Sequence, residues 1–333
     1  MNMPHSDLTV ETRTVLFFLA PGFPLMAYAS AVEPLRAANV LSGRRLYAWR
    51  HMTAGSGEAR ASNGVAFRPD FDMAREATPS AVLVCSGGNP ATFSHAPTLA
   101  RLRRFARRGA KIGGVSAGSF ILAQAGLLES YRCTIHWEHA SAFAEAFPSL
   151  RLTHSLFEID RDRLTCAGGI AALDMMHAMI KDDHGQALAA AVSDWFIQTS
   201  VRSSADRQRL SIRERYGVSN PKVARVLQRM EHEAERPADR AQLADLAGVS
   251  LRQLERLFAT QLRCSIDEQY KRIRLERARK LVTQTTLPIV EIALICGFRT
   301  ASHFSRSYKT AYGGAPRMER MRRAPARIAY SKF

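Results

Sequence analysis

The run Gly114-Val115-Ser116-Ala117-Gly118 has the five-residue spacing of a nucleophile elbow. It follows a short apolar run and precedes a helical stretch. In that context a strained turn lifts one side chain above a sheet, and Ser116 holds that position. A base could come from His136, in Cys133-Thr134-Ile135-His136-Trp137-Glu138, and an orienting acid from Asp160, Asp162 or Asp174. Serine hydrolysis needs these groups within hydrogen-bond reach, which spacing alone leaves open. A hydrolase therefore stays in view from these residues.

A second constellation points to polyanion recognition. Asp239 and Gln242 have capping-box spacing at the start of a helix whose apolar face is Leu243, Leu246 and Ala247. Gly248-Val249 make a tight turn. Ser250 and Gln253 form a second capping box, and Leu254, Leu257 and Phe258 point inward at helical spacing. Arg252, Gln253, Glu255 and Arg256 are left on the outer face. The arrangement returns about 50 residues later. Pro288 starts a helix with Ile289, Ile292, Ala293 and Ile295 inward, and Gly297-Phe298 turn the chain. Phe304, Ser307 and Tyr308 then face the core, leaving Thr300, Ala301, Ser302, His303 and Arg306 outward. Gly248 to Arg256 is 8 residues and Gly297 to Arg306 is 9, so the repeat is imperfect by one. Between the units, Ser265 and Glu268 open a long helix, 266 to about 285, a rigid spacer. Two helices reading one face of DNA must lie about one helical turn, ~34 Å, apart. An all-helical interaction domain is the competing reading of a single such turn.

Two larger regions must position these residues. Strand-length apolar runs at 15–19, 46–52, 81–85 and 112–115 alternate with helical stretches such as 26–41 and 99–108. A further strand pair is expected at 151–160 and 163–167, followed by helices at 170–180 and 186–198. Such alternation predicts a mostly parallel sheet covered by helices. Beyond Lys222 the strand signal ends and charge rises. From Lys222 onward there are 23 basic and 11 acidic side chains, so this part carries +12 of the +17 net charge. That asymmetry suits a polyanion partner. The five cysteines are widely spaced, with no CxxC pair or adjacent His set. This argues against zinc and disulfides and for a reducing cytoplasm. No apolar run approaches the ~20 residues of a membrane span.

The C-terminal residues carry a family resemblance. Leu243-Ala244 through Arg256-Leu257-Phe258, Arg274-Leu275-Glu276-Arg277-Ala278-Arg279, Ile292-Ala293, Cys296-Gly297-Phe298, Ser302-His303-Phe304-Ser305-Arg306 and Tyr312-Gly313 resemble the AraC/XylS DNA-binding domain. The resemblance implies recognition helices near 251–260 and 300–309 in successive major grooves. Arg252, Glu255 and Arg256, then Ala301, Ser302, His303 and Arg306, would approach DNA. One departure is Arg263-Cys264-Ser265-Ile266, where the family often has Gly-x-Ser-Pro.

The N-terminal residues resemble the class I glutamine amidotransferase-like (PfpI) fold, in its GlxA-like branch. The resemblance rests on Pro21-Gly22-Phe23, the run Ala31 to Asn39, Ser86-Gly87-Gly88, the elbow, Thr134-Ile135-His136-Trp137 and the run Ala167 to Asp174. It implies a flavodoxin-like α/β domain with helices on both faces, joined to an all-α domain with two helix-turn-helix units. Enzymes of the wider superfamily use Cys at the elbow, whereas Ser116 stands here and Glu33 matches the acid that often faces it. Serine is a poor nucleophile without a well-placed base. Ser116, Glu33 and His136 are therefore read as remnants of an active site turned into an effector pocket, without enzyme activity, metal or cofactor. Phe23, Tyr28 and Trp137 offer aromatic faces suited to a quaternary ammonium group, or are ordinary core. The regulators this chain resembles control catabolism of arginine, glycine betaine or carnitine. The expectation is an activator of a catabolic operon that senses a small nitrogenous metabolite. Its expected partners are double-stranded DNA, the effector, RNA polymerase and a second copy of the chain, with no membrane. The expected layout is a tail at 1–12, an effector domain at 13–198, a linker at 199–221, a DNA-binding domain at 222–325 and a tail at 326–333.

Overall fold

The computed structural model describes residues 11–55, 57–72 and 77–323. The expected C-terminal tail and residues 1–10 of the N-terminal tail lie outside the described residues. The chain divides into two compact units, Met1–Gln208 and Arg209–Phe333.

Unit 1 runs β1 (Arg13–Leu19), α1 (Leu25–Ser42), β2 (Tyr47–Met52), β3 (Ala59–Arg60), β4 (Ala66–Phe67), β5 (Ala81–Ser86), α2 (Ala96–Arg107), β6 (Lys111–Ser116), α3 (Gly118–Gln124), β7 (Arg132–Cys133), α4 (Ala140–Ala146), β8 (Arg151–Leu152), β9 (Phe157–Asp160), β10 (Arg163–Cys166), α5 (Ala171–His184) and α6 (Gln186–Trp195). The main sheet has the order β2-β1-β5-β6-β10-β9. All its pairings are parallel except the β9–β10 hairpin. The alternation of side chains along each strand splits the core into two layers. Phe17, Leu19, Leu83 and Cys85 pack under α1, α5 and α6. Leu16, Phe18, Val82 and Val84 pack on the other face, under α2 and α3. A strand buried on both faces must be apolar throughout, as β5 is along Ala81-Val82-Leu83-Val84-Cys85.

The single strand expected over 151–160 is two strands. β8 pairs with β7 in a separate small sheet, while β9 pairs with β10. The break falls at Thr153-His154-Ser155, where hydrogen bonds other than those of a strand ladder take over. The Thr153 and Ser155 hydroxyls lie 2.6 Å apart, and the Ser155 carbonyl accepts from Thr134 Oγ1 and Gln208 Nε2.

Unit 2 is helical: α7 (Ile212–Tyr216), α8 (Pro221–His232), α9 (Arg240–Ala247), α10 (Leu251–Leu262), α11 (Ile266–Gln284), α12 (Ile289–Ile295), α13 (Ala301–Tyr312) and α14 (Pro316–Arg323). The segment 199–221 is not featureless. It contains α7, started by a Ser211–Glu214 capping box. Unit 2 has two small cores joined by α11. Ile266, Tyr270 and Ile273 pack with α8, α9 and α10. Leu275, Ala278, Leu281 and Val282 pack with α12 and α13. At 1.5 Å per residue, α11 is about 28 Å long.

Candidate functional site

The three capping boxes expected from sequence are formed, at Asp239–Gln242, Ser250–Gln253 and Ser265–Glu268. They start α9, α10 and α11. The caps also account for the one-residue slip in the repeat. Ser250 caps α10 two residues after Gly248, whereas Thr300 caps α13 three residues after Gly297. The extra residue therefore lies in the turn, and the two recognition helices are in phase. Arg256 and Arg306 each stand six residues past their caps. Leu254 and Phe304 are buried at the same helical position, as are Phe258 and Tyr308. Thr260 and Thr310 donate to the Arg256 and Arg306 carbonyls, the same back-bond in each helix.

Arg252, Arg256, Ser302, His303 and Arg306 are exposed, and Ala301 is half-buried. Three other expected contacts already have tasks. Thr300 Oγ1 accepts from the His303 amide. The Gln253 side chain closes the Ser250 capping box. Glu255 lies 3.4 Å from Arg240. Of the expected contacts, the exposed arginines are thus Arg252 and Arg256 on the first helix and Arg306 on the second, where Lys309 is exposed as well.

Cations hold both turns. The carbonyls ending a helix lack intrahelical partners and carry partial negative charge. Lys222 Nζ donates to the Gly248 carbonyl (3.2 Å) behind the first turn. Behind the second, Arg274 of α11 donates to the Cys296 and Gly297 carbonyls at 2.7 and 2.6 Å. Its guanidinium also lies 4.2 Å from the Phe298 ring centre. Burial pulls the Arg274 pKa below the usual arginine range. In the sequence Arg274 stands out only as part of the motif Arg274-Leu275-Glu276-Arg277-Ala278-Arg279. No local spacing joins it to a turn 22 residues away.

In unit 1 the elbow is built as the spacing implied. Ser116 ends β6 at φ +60°, a region L-residues seldom adopt. The glycines around it are required by close approach. A Cβ on Gly118 would lie 1.8 Å from the Val84 carbonyl oxygen, one on Gly114 2.6 Å from the Ser119 nitrogen, and one on Gly168 2.5 Å from Ser116 Cβ. The sequence motifs Pro21-Gly22-Phe23, Ser86-Gly87-Gly88, the elbow and Gly168-Gly169 all follow the carboxyl ends of parallel strands. Ligands bind at that edge in open α/β sheets. Ser116 is nearly closed over, at 5% exposed.

The structure brings His136 to Ser116 through the backbone, its amide donating to the Ser116 carbonyl (3.3 Å). His136 and Trp137 are half-buried with ring centres 5.4 Å apart. Glu33 pairs with Arg36 on its own helix at 2.7 Å. Phe23 is fully buried and packs edge-on against Tyr28 and Phe67, so it forms wall rather than open surface. The three acids considered for a triad are engaged elsewhere. Asp174 is fully buried and held by Arg202 and Gln198. Asp160 accepts from the Arg132 amide, and Asp162 pairs with Arg163.

Just beneath the elbow lies a thiol. Burial pushes Cys166 up to about 12, against the opposing pull of the Gly168 and Ser116 backbone N–H groups. Burial likewise raises Cys85, and it raises Cys133 to about 12. Gln208, the last residue of unit 1, is plugged in behind the His136 loop. Its Nε2 donates to Thr134 Oγ1, the Ile135 carbonyl and the Ser155 carbonyl, at 2.8 to 3.0 Å. Among the described residues no group of three His, Cys, Asp or Glu side chains could hold a metal ion. No described helix is long and apolar enough to cross a membrane.

Comparison with known proteins agrees with both halves. Residues 13–182 match the DJ-1/PfpI family and residues 243–322 match a helix-turn-helix domain. The chain is 44% identical to the HTH-type transcriptional regulator GlxA of Rhizobium meliloti, over 94% of this chain and 97% of that one. It is 41% identical to the HTH-type transcriptional regulator GbdR of Pseudomonas aeruginosa (92% and 84% covered). It is 37% identical to the HTH-type transcriptional regulator ArgR of the same species (95% and 95%). Among solved structures, an AraC family transcriptional regulator from Pseudomonas putida matches 55% of this chain and 99% of its own, with TM-score 0.51 and 27% identity. The chain belongs to the GlxA-like group of AraC-type regulators, in which a DJ-1/PfpI domain is joined to a helix-turn-helix domain. It is a DNA-binding transcriptional regulator and not an enzyme.

Proposed function

We propose that this regulator activates a catabolic operon when a small nitrogenous metabolite occupies unit 1. The effector is an amino acid or quaternary amine of the arginine, glycine betaine or carnitine class. It binds at the carboxyl edge of the sheet, where Ser116, His136, Trp137 and Glu33 form the polar and aromatic surround and Phe23 backs it. Region 13–198 acts as the effector domain, 199–221 as the connection and 222–325 as the DNA-binding domain. The active form is a cytoplasmic homodimer that binds double-stranded DNA and engages RNA polymerase.

The observation that carries this reading is an elbow with a hydroxyl in place of a thiol. Its three candidate triad acids are all engaged elsewhere. Ground-state binding needs only shape and charge there, whereas hydrolysis needs an aligned base. Any switch needs an effector with different affinities for two states.

The test is a footprint on upstream DNA with and without a panel of amines and amino acids, run beside thermal unfolding. The expected result is protection of two adjacent major-groove patches, strengthened by one class of amine that also raises the melting temperature. Arg256→Ala and Arg306→Ala should each lose about 1–3 kcal/mol of operator affinity. No protected site under any condition would overturn the proposal.

A further inference from the structure

Helix α2 carries a positive charge that the DNA-reading role does not use. Five arginines fall within two turns and the helix cap: Arg101, Arg103, Arg104, Arg107 and Arg108. Among the described residues none of the five is paired with a carboxylate. Arg103 and Arg107 are one turn apart, and like charges at that spacing repel. They share a cleft of about 320 Å³ with Arg163 of β10, walled by Ala106 and the Gly126-Leu127 turn.

Arg163 makes this a built site. It is only 7% exposed. Its Nε donates to the Leu127 carbonyl, its Nη1 donates to the Asp162 carboxylate, and the guanidinium lies 4.6 Å from the Tyr131 ring centre. One face of the cleft is thus fixed before any ligand arrives.

The charge does not balance internally. Three arginines, Arg103, Arg107 and Arg163, line the cleft. Asp162 offsets one. The carbonyl ends of α2 and α3 lie on this side and supply roughly half a negative charge each, offsetting about one more. One full positive charge is left in the cleft, with Arg104 and Arg108 adding to it from the same end of α2. A solvated basic helix would explain exposed arginines, but not a half-buried Arg103 lining one cleft with a buried Arg163. The planar fork of a guanidinium matches pairs of oxygens on a tetrahedral oxyanion.

We propose that the α2–β10 cleft of unit 1 binds a phosphate group, separately from the elbow. The group comes either from a free phosphorylated compound or from the DNA backbone, and the test distinguishes the two. The full chain is titrated with pyrophosphate by calorimetry and thermal unfolding, with ionic strength held constant by sodium chloride. Pyrophosphate should bind saturably and raise the melting temperature of unit 1 above that in chloride alone. The Arg103→Gln/Arg107→Gln variant should bind at least tenfold more weakly while keeping its circular dichroism. Arg107→Lys, which keeps the charge and loses the fork, gives a milder change that does not risk the fold.

The second arm measures DNA affinity against salt. If the phosphate belongs to DNA, the double variant lowers the slope of log K against log salt by about 1–2, and pyrophosphate competes with DNA. If it belongs to a free compound, the slope is unchanged and pyrophosphate binds without displacing DNA. Pyrophosphate behaving as chloride does, with an unchanged slope, would overturn the proposal.

Discussion

Gly248 and Gly297 each end a helix in the left-handed region, at φ +61° and +72°. Their surroundings differ. A Cβ on Gly248 meets nothing within 4 Å, whereas one on Gly297 would lie 2.6 Å from the Ala234 carbonyl oxygen and 2.9 Å from that of Glu235. Gly248→Ala should therefore cost only the backbone strain, about 1–2 kcal/mol. Gly297→Ala adds a clash with backbone and should cost about 2–5 kcal/mol. Urea unfolding of the two variants checks this, and equal losses would count against it. Arg263 shows the converse. It holds the left-handed position (φ +54°) at the end of α10 that Gly313 holds at the end of α13. The departure from Gly-x-Ser-Pro is thus absorbed as local strain, with the Ser265 cap intact. The caps were legible because each is written within four residues. The approach of Gly297 to residues 234–237 was not, because it joins positions some sixty apart.

The recognition helices show how far periodicity reaches at the level of the element. Their inward faces were readable from spacing, and the structure buries Leu254, Phe258, Phe304 and Tyr308 accordingly. The slip from 8 to 9 residues made the repeat imperfect by one. It is a longer turn, and the helices match cap for cap. What spacing could not show is how the second unit is braced by α11. Arg274→Ala removes two charge-assisted hydrogen bonds to the ends of α12 and its turn. It should destabilise unit 2 by about 2–4 kcal/mol. Arg274→Lys should recover only part of this, since one ammonium cannot reproduce the fork over Phe298. In a footprint, protection by α13 should fade before protection by α10. Uniform weakening of both patches would show that Arg274 does not act through the second turn.

At the scale of the whole molecule, the alternation of strands and helices before residue 198 and the helical, basic stretch after 222 foretold two kinds of fold. The boundary was harder to read. Residues 199–221 look polar and featureless, yet Arg202 reaches back to buried Asp174 and Gln208 to the His136 loop, while α7 joins the second unit. Such long-range hydrogen bonds leave no periodic trace. If the two units melt independently, Gln208→Ala should lower only the unit 1 transition in calorimetry. The expected loss is about 1–3 kcal/mol from three broken hydrogen bonds. Gly297→Ala should lower only the other transition, and a single shared transition would refute that independence. The hydroxyl at position 116 also bears on how unit 1 withstands oxidants. Oxidation and alkylation need an accessible thiolate. Cys85, Cys133 and Cys166 are buried, with their thiols pushed up out of the reactive range. Native unit 1 should therefore take up no iodoacetamide at neutral pH, as read by peptide mapping. Labelling of the wild-type cysteines would contradict this. If unit 1 holds the proposed effector, an elbow that carries no reactive thiol lets it be occupied and emptied repeatedly in an oxidising cell without being chemically consumed.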